Sequence, residues 1–357
     1  MKRKYLLLLA PLSIIMLLAA KASPFVAEYL FARGLFKIIS IPIGFVTGLV
    51  PYSIAELLIY TLPWLFLFFC IRFVMQKRKK ELALNLGIFF SVMLFLFVSL
   101  CGTNYYRYEF QEYCTFKVRE YSSEELYELC EYLAEKCNET KVRIENVDEN
   151  GVVVLDDFSE VADEAASAYR ELSKTYPVLK YCTGRAKPVL ASHYMSYTGI
   201  VGIYIPFTAE ANVNDDVADY NRPADTCHEL AHLHGFMRED EANFISYLAC
   251  IASKEAYFQY SGYMMGLIYA TNALYGENVS QYREIFSALT DEVKADLRYE
   301  DEYWDNLRNT EAYQTVEAAS DKVNDTYLKI NGQKNGVKSY GEMVDLLLAQ
   351  YLSEKDR

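Results

Sequence analysis

The apolar runs of the first hundred residues constrain this chain more than any other feature. Residues 5–20, 54–75 and 84–100 are three such runs, and the second has a full twenty-two residues. An α-helix needs about 20 apolar residues to cross a hydrocarbon layer roughly 30 Å thick. Lipid satisfies no backbone N–H or C=O, so a chain crossing it folds as helix. We expect spans at about 5–22, 54–75 and 84–101. Residues 25–50, interrupted by Gly34, Pro42, Gly44 and Gly48, read as an interfacial or re-entrant segment. The opening Met1-Lys2-Arg3-Lys4 fits a signal peptide, but more apolar sequence follows it rather than a soluble start, so a retained helix is expected. Gln76-Lys77-Arg78-Lys79-Lys80 lies between the last two runs. The positive-inside rule puts that loop and the N-terminus in the cytoplasm. The expectation is a multi-pass protein of the cell membrane, with the lipid bilayer as partner. Residues 1–101 form its membrane domain and residues 102–357 lie on the extracytoplasmic side.

Charge divides the chain at the same place. Residues 1–101 carry eleven Lys and Arg against three Glu, a net +8, so residues 102–357 hold −21 of the chain's total of −13. So acidic a domain excludes nucleic acid, which needs a basic face, and disfavours close adhesion to anionic lipid. The surplus acid serves solubility. The eight cysteines include no Cys-x-x-Cys pair, which argues against a cysteine zinc site. Disulfides remain open on an oxidising side, and Cys227 reads as a buried thiol.

Within the acidic part stands Cys227-His228-Glu229-Leu230-Ala231-His232-Leu233-His234-Gly235-Phe236. Only four histidines occur in the chain, and three of them fall within these ten residues. On a helix, His228 and His232 lie one above the other on one face. That spacing lets two imidazoles reach one metal ion, normally Zn2+, with Glu229 placed to take the proton of an attacking water. His234 points off that face and reads as a surface or supporting histidine.

A catalytic zinc site needs a third protein ligand. Where the His-Glu-x-x-His-x-x-Gly-x-x-His pattern would place a third histidine, this chain has Arg238, a cation that cannot ligate zinc. Glu239 with Asn243 gives a Glu-x-x-x-Asn pair on one helix face. It resembles the Glu-x-x-x-Asp of gluzincin metallopeptidases, in which the Glu binds zinc and the second residue orients a ligand histidine. The Glu-x-x-Ala-Asn form looks most like that of the integral-membrane gluzincins. Glu239 is preferred as third ligand and Glu241, one register off, is the rival. His193 is a possible transition-state or substrate contact, although a lone histidine is more often a surface residue.

The other elements follow from periodicity and punctuation. Ser122-Ser123-Glu124-Glu125 reads as a capping box, with Leu126, Leu129, Leu133 and Cys137 at helical spacing behind it. Strands are expected at 151–155, 187–191 and 200–206, and a helix at 158–176. The last of these strands precedes the histidine helix and could offer an edge to an extended substrate. Asp225 or Thr226 is the expected cap of that helix and Gly235 its stop. A second helix is expected from about 239 to 260, an apolar helix at 263–275, two or three acidic helices to 330, a loop at 331–336 and a final helix at 339–352. The fold class is α+β: transmembrane helices followed by a mainly helical, zincin-like domain with a small β-sheet.

Several stretches together resemble the bacterial membrane proteins of the DUF3810 family, a family of unknown function. They are Val50-Pro51-Tyr52-Ser53-Ile54-Ala55-Glu56, Asn104-Tyr105-Tyr106-Arg107, Ile205-Pro206-Phe207-Thr208-Ala209-Glu210-Ala211-Asn212-Val213-Asn214, His228-Glu229-Leu230-Ala231-His232, Glu239-Asp240-Glu241-Ala242-Asn243-Phe244 and Tyr327-Leu328-Lys329-Ile330-Asn331-Gly332. The resemblance implies membrane helices followed by one metallopeptidase-like domain, and names no substrate. The expected activity is zinc-dependent hydrolysis of a peptide or protein substrate, with Glu229 as general base. The alternative is a catalytically silent zinc-binding sensor or peptide-binding module of the cell envelope.

Overall fold

The computed structural model describes residues 2–180, 182–331, 333 and 342–355. The chain is mainly helical with one three-stranded sheet, and it divides into two compact units. The first comprises Met1–Tyr108, Tyr181–Gly184 and Tyr204–Glu210; the second comprises Glu109–Lys180, Arg185–Ile203 and Ala211–Arg357.

Among the described residues, four helical runs in the first unit are long and apolar enough to cross a membrane: Arg3–Ala22, Pro24–Gly48, Ile54–Met75 and Lys79–Tyr106. We label their helices α1 (Leu9–Ala22), α2 (Pro24–Gly48, π-helical over Ala27–Leu35), α3 (Ile54–Met75) and α4 (Lys79–Leu100). α2 is the segment read above as interfacial or re-entrant. It continues through its glycines and Pro42, and at Gly44 a Cβ would lie 3.2 Å from the backbone N of Gly184. α3 and α4 form an antiparallel hairpin turning at Gln76–Arg78, with Phe66 against Phe89. α1 runs parallel to α4. Leu7 lies beside Gly87, Leu17 beside Gly102, and Ser91 Oγ accepts from Ala10 N while donating to Leu6 O.

This unit continues past the expected boundary at 101 for a physical reason. Glu28 on α2 is wholly buried and is held bidentately by Arg107, at 2.9 and 3.0 Å, and by Arg33. The later segment 204–210 also belongs here. Glu210 accepts from Ile54 N and Ala55 N at 3.1 and 2.7 Å. It thereby places a carboxylate at the N-terminus of α3, where the helix dipole favours it.

In the second unit α5 (Ser123–Lys141) begins with the expected capping box and buries Leu126, Leu129, Leu133 and Cys137. α6 (Phe158–Thr175) follows. The sheet has the order β1-β3-β2, with β1 (Ala186–Pro188) parallel to β3 (Glu210–Val213) and β2 (Gly202–Ile205) at the edge. β3 was not anticipated. The strand expected at 151–155 is only a bridge between Val147 and Val153.

α7 (Arg222–Leu233) carries the histidine motif. It starts three residues before the expected caps, because Pro223 occupies its first turn, where a missing N–H is tolerated. Asp225 and Thr226 are therefore inside the helix. α8 (Glu239–Ala252) is buried along almost its whole length and is flanked by α6, α7 and α9 (Ala256–Glu277). The helix expected from 239 to 260 is thus two helices. The acidic helices α10 (Val279–Ala288), α11 (Asp291–Arg308) and α12 (Glu311–Ile330) follow, then α13 (Met343–Lys355). The expected loop at 331–336 and the start of the expected last helix lie largely outside the described residues.

Candidate metal centre

Side-chain hydrogen bonds from three neighbours fix α7. Tyr169 of α6 donates to Cys227 O at 2.6 Å, Ser246 of α8 donates to Ala224 O at 2.6 Å, and Ser261 of α9 accepts from Ala224 N at 3.0 Å. The helix ends in a Schellman turn. Phe236 N donates to Ala231 O, Gly235 N donates to His232 O, and Gly235 takes φ +97°, a conformation that favours glycine. The turn brings the carbonyl of Phe236 back to His232, whose Nδ1 donates to it at 2.7 Å. The glycine that stops the helix therefore also orients one imidazole.

His228 is oriented from α8. Its Nδ1 donates to Asn243 Oδ1 at 2.7 Å, while Asn243 Nδ2 donates to Tyr269 Oη at 3.2 Å. Both Nδ1 atoms are thus engaged, and the two Nε2 atoms face each other at 3.1 Å. Glu239 Oε2 lies 3.2 Å from Nε2 of His228 and 3.6 Å from that of His232. These three residues are a cluster whose ligating atoms all lie within 4.8 Å of one another.

The donor set fits a cation. Two neutral imidazoles with Nδ1–H engaged turn lone pairs toward each other, and Oε2 of Glu239 is buried without a hydrogen-bond partner. A proton or a metal ion between them relieves both. The titration behaviour agrees. Burial alone would push the His232 imidazolium down, but Glu239 and Glu229 beside it raise it to about 9. Burial alone would raise Glu239, but His232 and His228 hold it at about 2.

Glu229 is also buried, with Oε2 lacking a partner. Burial raises its carboxyl to about 7, with His228 and His232 pulling the other way and Glu239 adding to the rise. Its neighbour across the site is Gly202 of β2, where a Cβ would lie 2.5 Å from Glu229 Oε1. The edge strand therefore lies directly against the Glu229 carboxylate only because residue 202 has no side chain.

The other expected residues fall apart from the cluster. Glu241 accepts from Phe110 N at 2.8 Å and faces Arg238, whose guanidinium also reaches Asp240 and Glu109. His193 pairs through Nδ1 with Asp216 Oδ2 at 2.9 Å, packs against Tyr194 and Tyr197, and is exposed. His234 is not on the surface. It is buried behind α7, stacked on Tyr169 at 4.4 Å and donating to Leu230 O. No disulfide joins the cysteines among the described residues, and Cys227 is buried. Sequence reasoning missed Gly202, the Phe236 carbonyl, Tyr269 and Asp225. Only Asp225 had a local signal, one turn before Glu229. Burial raises its carboxyl well above the usual range, and Glu300 and Glu229 add to this.

Apolar spanning-length helices and a buried His-His-Glu cluster on two packed helices define a membrane-associated protein with a metal-type site. The chain belongs to the family described as "Protein of unknown function (DUF3810)", whose family model matches residues 31–348. No curated protein and no solved structure matches it.

Proposed function

We propose that this protein is a membrane-anchored, zinc-dependent metallopeptidase. The observation that carries the reading is the convergence of His228 Nε2, His232 Nε2 and Glu239 Oε2, with the opposite nitrogen of each imidazole already hydrogen-bonded. That is the arrangement by which partners behind a ligand fix its tautomer. His228, His232 and Glu239 would hold the ion, and Asn243 would orient His228. Zinc supplies Lewis acidity, polarising a carbonyl and acidifying water.

The remaining chemistry belongs to the chain. Glu229, poised near neutrality, takes the proton of the attacking water and delivers it to the leaving amine. β2, at the sheet's edge, offers backbone groups to an extended peptide, and the bare Gly202 lets that peptide approach the Glu229 carboxylate. Glu241 is occupied by Phe110 N and Arg238, which favours Glu239 as third ligand. An extracytoplasmic location for this unit rests on the basic run at 77–80, and its substrate would be a peptide or protein of the cell envelope.

The test is zinc content and peptide hydrolysis of the full chain in detergent micelles. Stoichiometric zinc, lost in Glu239→Ala and kept in Glu229→Gln, with hydrolysis lost in both, is the expected result. Zinc lost in Glu241→Ala but kept in Glu239→Ala would move the third ligand. Stoichiometric zinc without turnover of any peptide in a library would replace the enzyme by the silent sensor.

A further inference from the structure

α2 is long enough to cross a bilayer, yet its connections deny it a crossing. α1 and α4 are parallel, so the end of α1 lies level with the end of α4: Leu17 is beside Gly102. α3 is antiparallel to α4, so its beginning lies at that same face. There Tyr204 Oη donates to Leu100 O, and Glu210 holds the first N–H groups of α3. α2 leaves the end of α1 after the single residue Ser23 and enters α3 through residues 49–53. Both its ends are therefore at one face of the helical set.

Its own contacts agree. Near its start, Ala27 and Phe31 pack with Met16, Ala20 and Val98, and Glu28 pairs with Arg107. Toward its end, Ile41 O accepts from Thr183 Oγ1, and Thr47 Oγ1 donates to Thr208 O. A straight run of 25 residues is about 37 Å long. If it crossed, one of these two sets of contacts would lie at the opposite face, beside Lys79.

The face that α2 turns away from these partners is apolar. Phe25, Leu30, Ile38, Phe45 and Val46 are each at least 60% exposed. The buried stripe combines Ala27, Phe31, Ala32, Phe36 and Gly44 with the polar Glu28, Ser40 and Thr47, so these polar side chains face the protein while the outward face is mainly apolar. Arg33 stands over the ring of Tyr29 at 5.1 Å, a pairing suited to the boundary between acyl chains and headgroups.

We infer that α2 lies in the plane of the membrane, on the side opposite the basic residues 2–4 and 77–80, with its apolar face in lipid. The bilayer is the partner of this surface, which continues that of α1, α3 and α4. The inference is independent of the metal site.

The experiment places single tryptophans at three exposed α2 positions. In a background of Trp64→Phe and Trp304→Phe, the full chain carrying Leu30→Trp, Ile38→Trp or Phe45→Trp is reconstituted into phosphatidylcholine vesicles. The lipids are brominated at shallow or deep acyl positions. All three probes should be quenched most by the shallow bromines and to equal extents. The Trp304→Phe protein, reporting Trp64 in the middle of α3, should be quenched most by the deep ones. An Ile38→Trp probe about 11 Å deeper than the other two would show a crossing or re-entrant run and overturn the proposal. Absence of quenching at all three would remove lipid as the partner.

Discussion

At the scale of single residues, the proposed zinc would compete with a proton for the cluster. His232 in the metal-free protein holds its proton up to about pH 9, whereas Glu239 is ionised above about pH 2. Metal binding must displace the His232 proton. Zinc affinity should therefore rise about tenfold per pH unit up to pH 9 and then level off. Calorimetry in buffers of different ionisation enthalpy should count about one proton released per zinc. Gly202 makes a second prediction. Its missing Cβ leaves the space in which the Glu229 carboxylate sits, so Gly202→Ala must push that group aside. A displacement of about 1 Å at a catalytic group costs on the order of a hundredfold in rate. Peptide hydrolysis by Gly202→Ala should fall by that order with zinc content unchanged, because the three atoms nearest the added Cβ all belong to Glu229 and not to a proposed ligand.

At the scale of elements, one turn after α7 both ends a helix and orients the His232 imidazole. Gly235→Ala puts a Cβ on a residue at φ +97°, at a cost of roughly 1–2 kcal/mol. The same change disturbs the Phe236 carbonyl that holds His232. Thermal melting should show a loss of that size without metal and a larger one with zinc, since losing such a partner costs about 10–100-fold in metal affinity.

This scale also shows what the sequence could tell and why it stopped. His228, Glu229 and His232 were legible because their relation is internal to one helix and follows from its period. Asn243 was legible relative to Glu239 for the same reason. Glu239 and Glu241 share the first turn of α8, and what separates them is the Phe110 N–H, 131 residues away in sequence. No local pattern carries that information. Asp225 and Thr226 read as caps on residue type, yet Pro223 had already opened the helix. β3, with all four residues buried, lacks the alternation that marks a half-exposed strand. Gly202 was visible as a residue, but its meaning depends on packing against another element.

At the scale of the whole molecule, two buried charge clusters do different work. On the proposed zinc reading of the His-His-Glu cluster, chelation should lower the melting temperature, and added zinc should restore it in a concentration-dependent way. The Glu28–Arg107 pair is complete within the protein, at 0% and 3% side-chain exposure. Removing one partner of such a pair costs about 3–5 kcal/mol, because a charge is left buried. Arg107→Ala leaves Glu28 with Arg33 as a remaining partner, so it should destabilise the chain in micelles by less than that full amount, without changing zinc stoichiometry. Fluorescence melting and metal analysis on the same sample would check both.

The Glu210 carboxylate at the head of α3 has a consequence for biosynthesis. α3 ends at residue 75, but the group that closes its first turn is encoded 155 residues after Ala55. At about 5–20 residues per second of translation, the ribosome adds Glu210 roughly 8–30 s after Ala55. For that interval the helical hairpin of α3 and α4 exists with Ser53, which accepts from Glu56 N, at its head but with the N–H groups of Ile54 and Ala55 still awaiting Glu210. The membrane part of this protein therefore cannot be finished first and decorated later; its assembly waits for a segment from the far side of the sheet-forming region to come back to it.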